Sequence, residues 1–193
     1  TEWLDAATRM VRNTHTSYDT KVTVVEELTS DSKRCKRYYA EFSAMTNSLV
    51  TQYPDDFRVA ELHALFLMRS GAVSGGLDFV KSFFRAHPTQ REALDIITEF
   101  EMAFQAYDTV RHYCAMYLAA EPNLPEAHMM MSSLEQHLNE DNKAALKRLD
   151  KALSLATDST QRSEIIGYKA DLYHVEGNLR KTYKLYDKAL KYN

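Results

Sequence analysis

Between residues 2 and 13, Trp3, Leu4, Ala7, Met10 and Val11 share one face of a helix. No run of alternating Val, Ile, Thr and aromatic residues bounded by Asn-Gly or Asp-Gly occurs, so the pattern predicts no strand. Helical patterns instead stop at a fixed interval. Pro54, Pro88 and Pro122 are each 34 residues apart, in Tyr-Pro-Asp-Asp at 53–56, His-Pro-Thr-Gln at 87–90 and Glu-Pro-Asn-Leu at 121–124. Proline cannot donate to a helix ladder and disfavours α geometry in the residue before it, so each marks a helix end. Asp, Thr or Asn then caps the next helix. The expected fold class is all-α, built from repeated helix pairs.

With that period the chain resembles the tetratricopeptide repeat family, whose 34-residue unit places small residues at positions 8, 20 and 27, aromatics at 11 and 24, and proline at 32. With Pro88 as position 32, Phe57 is position 1, Ala64 falls at 8, Gly71 at 15 and Gly76 at 20. A unit begun at Glu126 carries Ser133 at 8, Ala145 at 20 and Ala152 at 27. The unit from Ser163 fits best, with Ala170 at 8, Tyr173 at 11, Gly177 at 15, Tyr186 at 24 and Ala189 at 27. Small residues let the first (A) and second (B) helix of a pair approach, and aromatics fill the space between pairs. The resemblance implies a right-handed α-α superhelix, a solenoid of antiparallel helix pairs that holds other molecules. Its expected units are 57–90, 91–125, 126–162 and 163–193, after degenerate N-terminal helices and a first pair over 1–56.

Departures from the repeat make further expectations. Thr98 at position 8 and Val110 at 20 predict a wider crossing in the unit from Arg91, and Lys169 stands where an apolar residue is usual. Unit starts drift from 34 to 35 to 37 residues apart, which predicts longer connections near Pro125 and Asp158. In the first pair, helix B is expected over about 32–52 and a degenerate helix A over about 18–28. The 2–13 helix reads as helix B of a preceding unit. The last unit stops at Asn193, position 31, so the chain reads as part of a longer array with apolar surface near Tyr183, Leu185 and Leu190. The wording of the C-terminal half, in particular DLYHVEGNLRKTYKLYDKALKYN, is similar to large tetratricopeptide proteins of bacterial cell envelopes. That likeness implies a periplasmic or outer-membrane-associated protein, a cytoplasmic one being the alternative.

Composition narrows the functional classes. Apolar residues are 45% and charged residues 26% of the chain, which suits a folded domain, and 5 Gly with 4 Pro are too few for a turn-rich β fold. A net charge of −3 offers no broad positive field for nucleic acid or an anionic membrane. The basic cluster Lys33, Arg34, Lys36 and Arg37 reads as a solvated helix face. Neither a bilayer-length apolar run nor a signal peptide is legible. Cys35 and Cys114 form no zinc spacing and read as small apolar side chains.

Candidate chemistry is sparse. No nucleophile elbow, P-loop, HExxH or dinucleotide fingerprint is present, so no catalytic residue, metal or cofactor is expected. Gly75-Gly76 reads as close helix packing rather than a phosphate cradle. None of the 7 histidines has another His or Cys at a spacing that shares a helical face. Glu92, Asp95, Glu99 and Glu101 read as one solvated carboxylate-rich face. The methionines at 129–131 read as core filling, with an adaptable binding surface as the alternative.

In the repeat family, positions 2, 5, 9 and 12 of helix A line a concave groove. The likeness carries that role to Arg58, Glu61, Leu65 and Met68, to Glu92, Asp95, Glu99 and Met102, to Ala127, Met130, Leu134 and His137, and to Glu164, Gly167, Asp171 and His174. Such a surface suits a peptide or partner protein with basic and apolar residues. It excludes the chaperone-type carboxylate clamp, which needs Lys at position 5 and Asn at 9, where this chain has Glu61 with Leu65 and Asp95 with Glu99. The expected function is a non-catalytic protein-interaction scaffold, with a structural spacer of a larger envelope protein as the alternative. Oligomeric state is left open.

Overall fold

A computed structural model describes residues 2–192 as helices joined by short turns, with no strand among them. The helices are α1 (Glu2–Arg12), α2 (Tyr18–Leu28), α3 (Ser32–Arg37), α4 (Tyr39–Gln52), α5 (Phe57–Ser70), α6 (Val73–Ala86), α7 (Arg91–Ala103), α8 (Tyr107–Ala120), α9 (Pro125–Asn139), α10 (Asn142–Leu155), α11 (Ser159–Val175) and α12 (Leu179–Ala189). Local chemistry sets several starts. Asp56 and Asp158 accept the backbone N–H of Val59 and Gln161 at 3.0 and 2.8 Å, and Pro125 occupies the first turn of α9, where its missing N–H costs nothing. The chain forms two compact units, one up to Phe100 and one from Glu101.

In the N-terminal unit, α1 to α5 share a core of Leu4, Val11, Val22, Val25, Cys35, Phe42, Met45, Leu49, Val59, Leu62 and Phe66. Helix α1 packs on α4 as well as on α2, and Gln52 donates to the carbonyl of Val11 at 3.1 Å. The helix expected over about 32–52 is interrupted at Tyr38, whose φ of −114° and ψ of 36° leave the α region. The Tyr38 ring lies edge-on to Trp3, centroids 5.6 Å apart, and 5.9 Å from Phe42. Of the basic cluster, Arg34 donates to the carbonyl of Glu27 at 3.1 Å, satisfying the C-terminal turn of α2. Lys33, Lys36 and Arg37 are exposed.

Helix α5 packs on α6, α9 on α10 and α11 on α12, while α4 meets α5, α8 meets α9 and α10 meets α11. Every A-to-B turn from α5 onward passes through a residue with positive φ: Gly71 (105°), Gln105 (58°), Glu140 (52°) and Gly177 (74°). These four positions reproduce the 34, 35 and 37 spacing of the sequence. The residue after each closes the turn by donating back, from Ala72 to Leu67, Ala106 to Glu101, Asp141 to Glu135 and Asn178 to Tyr173. Three of these spans are five residues and the third in chain order is six. Helix α9 therefore holds one extra residue in its last turn.

That extra residue corrects two expectations. The longer connections foreseen near Pro125 and Asp158 do not form: four residues link α8 to α9 and three link α10 to α11. The surplus lies inside helices instead, as the wide final turn of α9 and as an added first turn of α11, which Asp158 caps. The register of α9 also begins at Pro125 rather than Glu126. Ser132, not Ser133, is the small residue facing its partner, buried and donating to the carbonyl of Ala145 at 3.0 Å, while Ser133 is exposed.

Small residues behave as contact points elsewhere too. A Cβ on Gly76 would lie 2.7 Å from the Ala64 carbonyl oxygen and 2.7 Å from Met68 Cγ, so only glycine fits where α5 crosses α6. Lys169, foreseen as a departure, keeps its side chain 15% exposed and bonds through Nζ to Asp150 on α10.

Candidate protein-binding faces

The residues singled out for partner binding reach the surface through helix periodicity. On α5, Arg58 is exposed and Glu61, Leu65 and Met68 are half-buried, while Val59, Leu62, His63 and Phe66 turn inward. On α7, Glu92, Asp95, Glu99 and Met102 are exposed, and Ala93, Leu94 and Ile97 are buried. Glu101 does not belong to the solvated face expected for it. It is 5% exposed, because two residues beyond Glu99 is about 200° around a helix.

On α9 the register shift moves the face by one residue. Met130, Leu134 and His137 stand one step past the helix positions of Glu61, Leu65 and Met68, whose counterparts are Met129, Ser133 and Gln136. Ala127 is buried. Glu126 takes the place of Arg58, and its Oε1 accepts from Gln161 on α11 at 2.7 Å. The methionine run divides between roles: Met131 is buried, Met129 is half-buried against the Ala145–Leu149–Ile165 cluster, and Met130 is half-buried. On α11, Glu164, Asp171 and His174 are exposed and Gly167 is half-buried.

Several of these polar groups are already engaged. Arg58 pairs with Glu26 of α2 at 3.1 Å, which raises the guanidinium pKa further above its ordinary value through that hydrogen bond. Arg91 pairs with Asp95 at 2.7 Å, and Gln90 donates to Glu92 at 2.6 Å. His137 Nδ1 bonds the Ser133 carbonyl at 2.8 Å. Asp171 accepts from the Tyr186 hydroxyl, and that bond raises the tyrosine pKa. No hydrogen bond or ion pair joins two of the singled-out residues to each other, among those described.

Titratable groups away from these faces serve the fold. His63 is buried, shares a 2.9 Å hydrogen bond with Thr46 and lies 4.6 Å from the Phe79 ring, and burial lowers its pKa. Burial first, then the hydrogen bond to Asp56, push the Tyr18 hydroxyl up to about 12. Both cysteines are buried free thiols, and burial pushes Cys35 up. A hollow of about 330 Å³ lies at the α7–α8 turn against Arg111 and Leu138, and Arg111 there bonds Asn139 at 2.6 Å. Among the described residues, no group of three His, Cys, Asp or Glu could hold a metal ion, and no helix is long and apolar enough to cross a membrane.

No family model and no curated protein matches the chain by sequence. Solved structures do match it in shape. The MamA protein superposes with a TM-score of 0.56 at 14% identity, covering 89% of this chain and 91% of that one. MamA from residue 41 onward of Desulfovibrio magneticus RS-1 gives 0.55 at 13% identity, covering 89% and 94%. TTC0263, a thermophilic TPR protein in Thermus thermophilus, gives 0.54 at 17% identity, covering 91% of each chain. With its four left-handed A-to-B turns and its small residues at helix crossings, this chain has the fold of the tetratricopeptide-repeat solenoids.

Proposed function

We propose that the protein is a non-catalytic scaffold that binds a peptide or partner protein in the groove lined by the solvent-facing positions of its A helices. The observation that carries this reading is the α7 face. Glu92 and Glu99, seven residues apart, are exposed on one line of α7, and no cation pairs with either among the described residues. Such a line presents two carboxylates to a ligand bearing basic side chains. Asp95 contributes less, because Arg91 already answers its charge. The α5 face supports the reading with Glu61, Leu65 and Met68 half-exposed. The register shift on α9 leaves the case against a carboxylate clamp intact, since Met129 and Ser133 now occupy the decisive positions and neither is Lys or Asn.

The test uses a labelled peptide of alternating Lys and Leu, with fluorescence anisotropy as the readout. Binding to the full chain should weaken at least about tenfold in the double variant Glu92→Lys/Glu99→Lys, and it should weaken with added salt. Equal affinity for the chain and the variant would remove the α7 face from the proposal.

A further inference from the structure

Along α10, Lys143, Lys147 and Lys151 follow one another at four-residue intervals, and all three are exposed. Counted from the left-handed residues Glu140 and Gly177, the same positions on α12 hold Arg180, Lys184 and Lys188. Lys191, just past α12, stands where α10 has Ser154, and these four cations are exposed as well. The buried sides of the two helices match in the same count. Ala145 and Ala152 of α10 correspond to Thr182 and Ala189 of α12, all buried. Each set faces its own A helix, from which Ser132 and Ser163 donate to the carbonyls of Ala145 and Ala189. Both rows of cations therefore stand on the side turned away from the A helices.

Stacking does not cover this side. Helix α11 packs on α10 and α12 follows it, yet the lysines of α10 stay exposed, because α11 seats on a different row, Leu146, Leu149 and Leu153. Nor does the repeat require lysine there. On α6 and α8 the same positions hold Ser74, Asp78 and Ser82, and Asp108, His112 and Met116. None of the seven cations forms an ion pair or hydrogen bond among the described residues. Asp150 and Asp187 are the only carboxylates of the two helices, and Asp150 is engaged by Lys169. Successive lysines are about 6 Å apart along the axis, inside a screening length of about 8 Å at physiological salt, so their fields add. The net charge of −3 hides this field, since Glu126, Glu135, Glu164 and Asp171 lie on α9 and α11.

We propose that the outer face of α10 and α12 binds the surface of an anionic lipid bilayer, peripherally and by charge alone. The chemistry of the face selects this partner. Lysine ammonium groups are point charges on flexible stems, suited to mobile headgroups, whereas readout of a nucleic-acid duplex relies on arginine forks and side-chain amides. Among the described residues, none of the large exposed apolar side chains lies on α10. Its row thus offers neither an aromatic platform for single-stranded nucleic acid nor the apolar anchor of a stable protein interface. A bilayer needs neither and attracts each further cation brought to its surface. Two rows, on the helices that flank α11, spread the charge over an area rather than a line. The face is distinct from the A-helix groove and does not depend on it.

The experiment sediments the full chain with vesicles of phosphatidylcholine, either alone or with about one part in four of phosphatidylserine. The anionic vesicles should bind it at least about tenfold more tightly, and salt at about 0.5 M should release it. Lys147→Glu/Lys151→Glu should weaken that binding at least about tenfold, and Lys147→Gln/Lys151→Gln should weaken it less. Both side chains are exposed and unpaired, so the circular-dichroism melts should match that of the parent chain. Lys33→Glu/Lys36→Glu makes the same change of net charge on α3 and should leave vesicle binding within about twofold. No binding to the anionic vesicles, equal binding to the neutral ones, binding that survives the salt, or equal losses from the α10 and α3 charge reversals overturns the proposal. So does tighter binding of a DNA duplex or a polyglutamate peptide at the same concentration of negative charge.

Discussion

At the scale of single residues, two glycines show how neighbours decide what the same residue does. Gly76 and Gly167 both lie inside helices, where glycine costs roughly 0.5–1 kcal/mol relative to alanine. Gly76 faces a backbone carbonyl that cannot retreat, whereas a Cβ on Gly167 meets nothing within 4 Å. Gly76→Ala should therefore destabilise the protein by about 1–3 kcal/mol through forced separation of α5 and α6. Gly167→Ala should stabilise it by about 0.5–1 kcal/mol. Chemical denaturation measures both, and two shifts of the same sign would contradict the packing account. The sequence identified Gly76 as a close-packing residue through its place in the repeat, but nothing in the sequence distinguishes it energetically from Gly167. His63 adds a pH dependence. Its pKa is lowered in the fold, so neutral imidazole stabilises the folded state above the unfolded value of about 6.5. That contribution is lost as pH falls through the lower folded value. Stability should decline below about pH 6.5, and His63→Gln should flatten the decline in a series of thermal melts.

At the scale of helices, periodicity was legible and register was only partly so. Burial on α5 and α7 follows the apolar pattern of the sequence, because one helix face must leave water. The α9 register was not legible from spacing alone. An extra residue lengthens the spacing of successive units equally whether it enters a loop, a turn or a helix end, and only the six-residue closure from Asp141 to Glu135 locates it. Lys169 teaches a related lesson. Its position in the repeat calls for an apolar side chain, and the fold accommodates a lysine by supplying Asp150 from the neighbouring helix. Lys169→Met should change stability by less than about 1 kcal/mol, since the apolar replacement removes a desolvated cation together with its partner's need for it. Asp150→Ala should cost more, about 1–2 kcal/mol, by leaving that cation without a carboxylate. If the two variants melt alike, the pair contributes nothing specific.

At the scale of the whole molecule, stacked helix pairs make stability a sum of nearest-neighbour terms. The Gly76→Ala lesion should therefore stay local. Hydrogen exchange should quicken in α5 and α6, while amides of α11 and α12 keep their protection. Uniform acceleration across all helices would mean the chain unfolds as one body. The apolar face of α11–α12 shows the same division between pattern and packing. Apolar surface was expected near Tyr183, Leu185 and Leu190, and Tyr183 and Leu190 are exposed while Leu185 is half-buried. The Tyr186–Asp171 bond was invisible in the sequence, since the two residues lie on different helices. By itself the sequence determined the all-α class, the 34-residue period and the helix ends, because proline, capping side chains and amphipathic spacing act within a few residues of themselves. Only the packed chain decided the α9 register, the burial of Glu101, the pairing of Lys169 and the bond from Tyr186 to Asp171. Each of these depends on which distant side chain arrives opposite, and spacing along the chain does not carry that information.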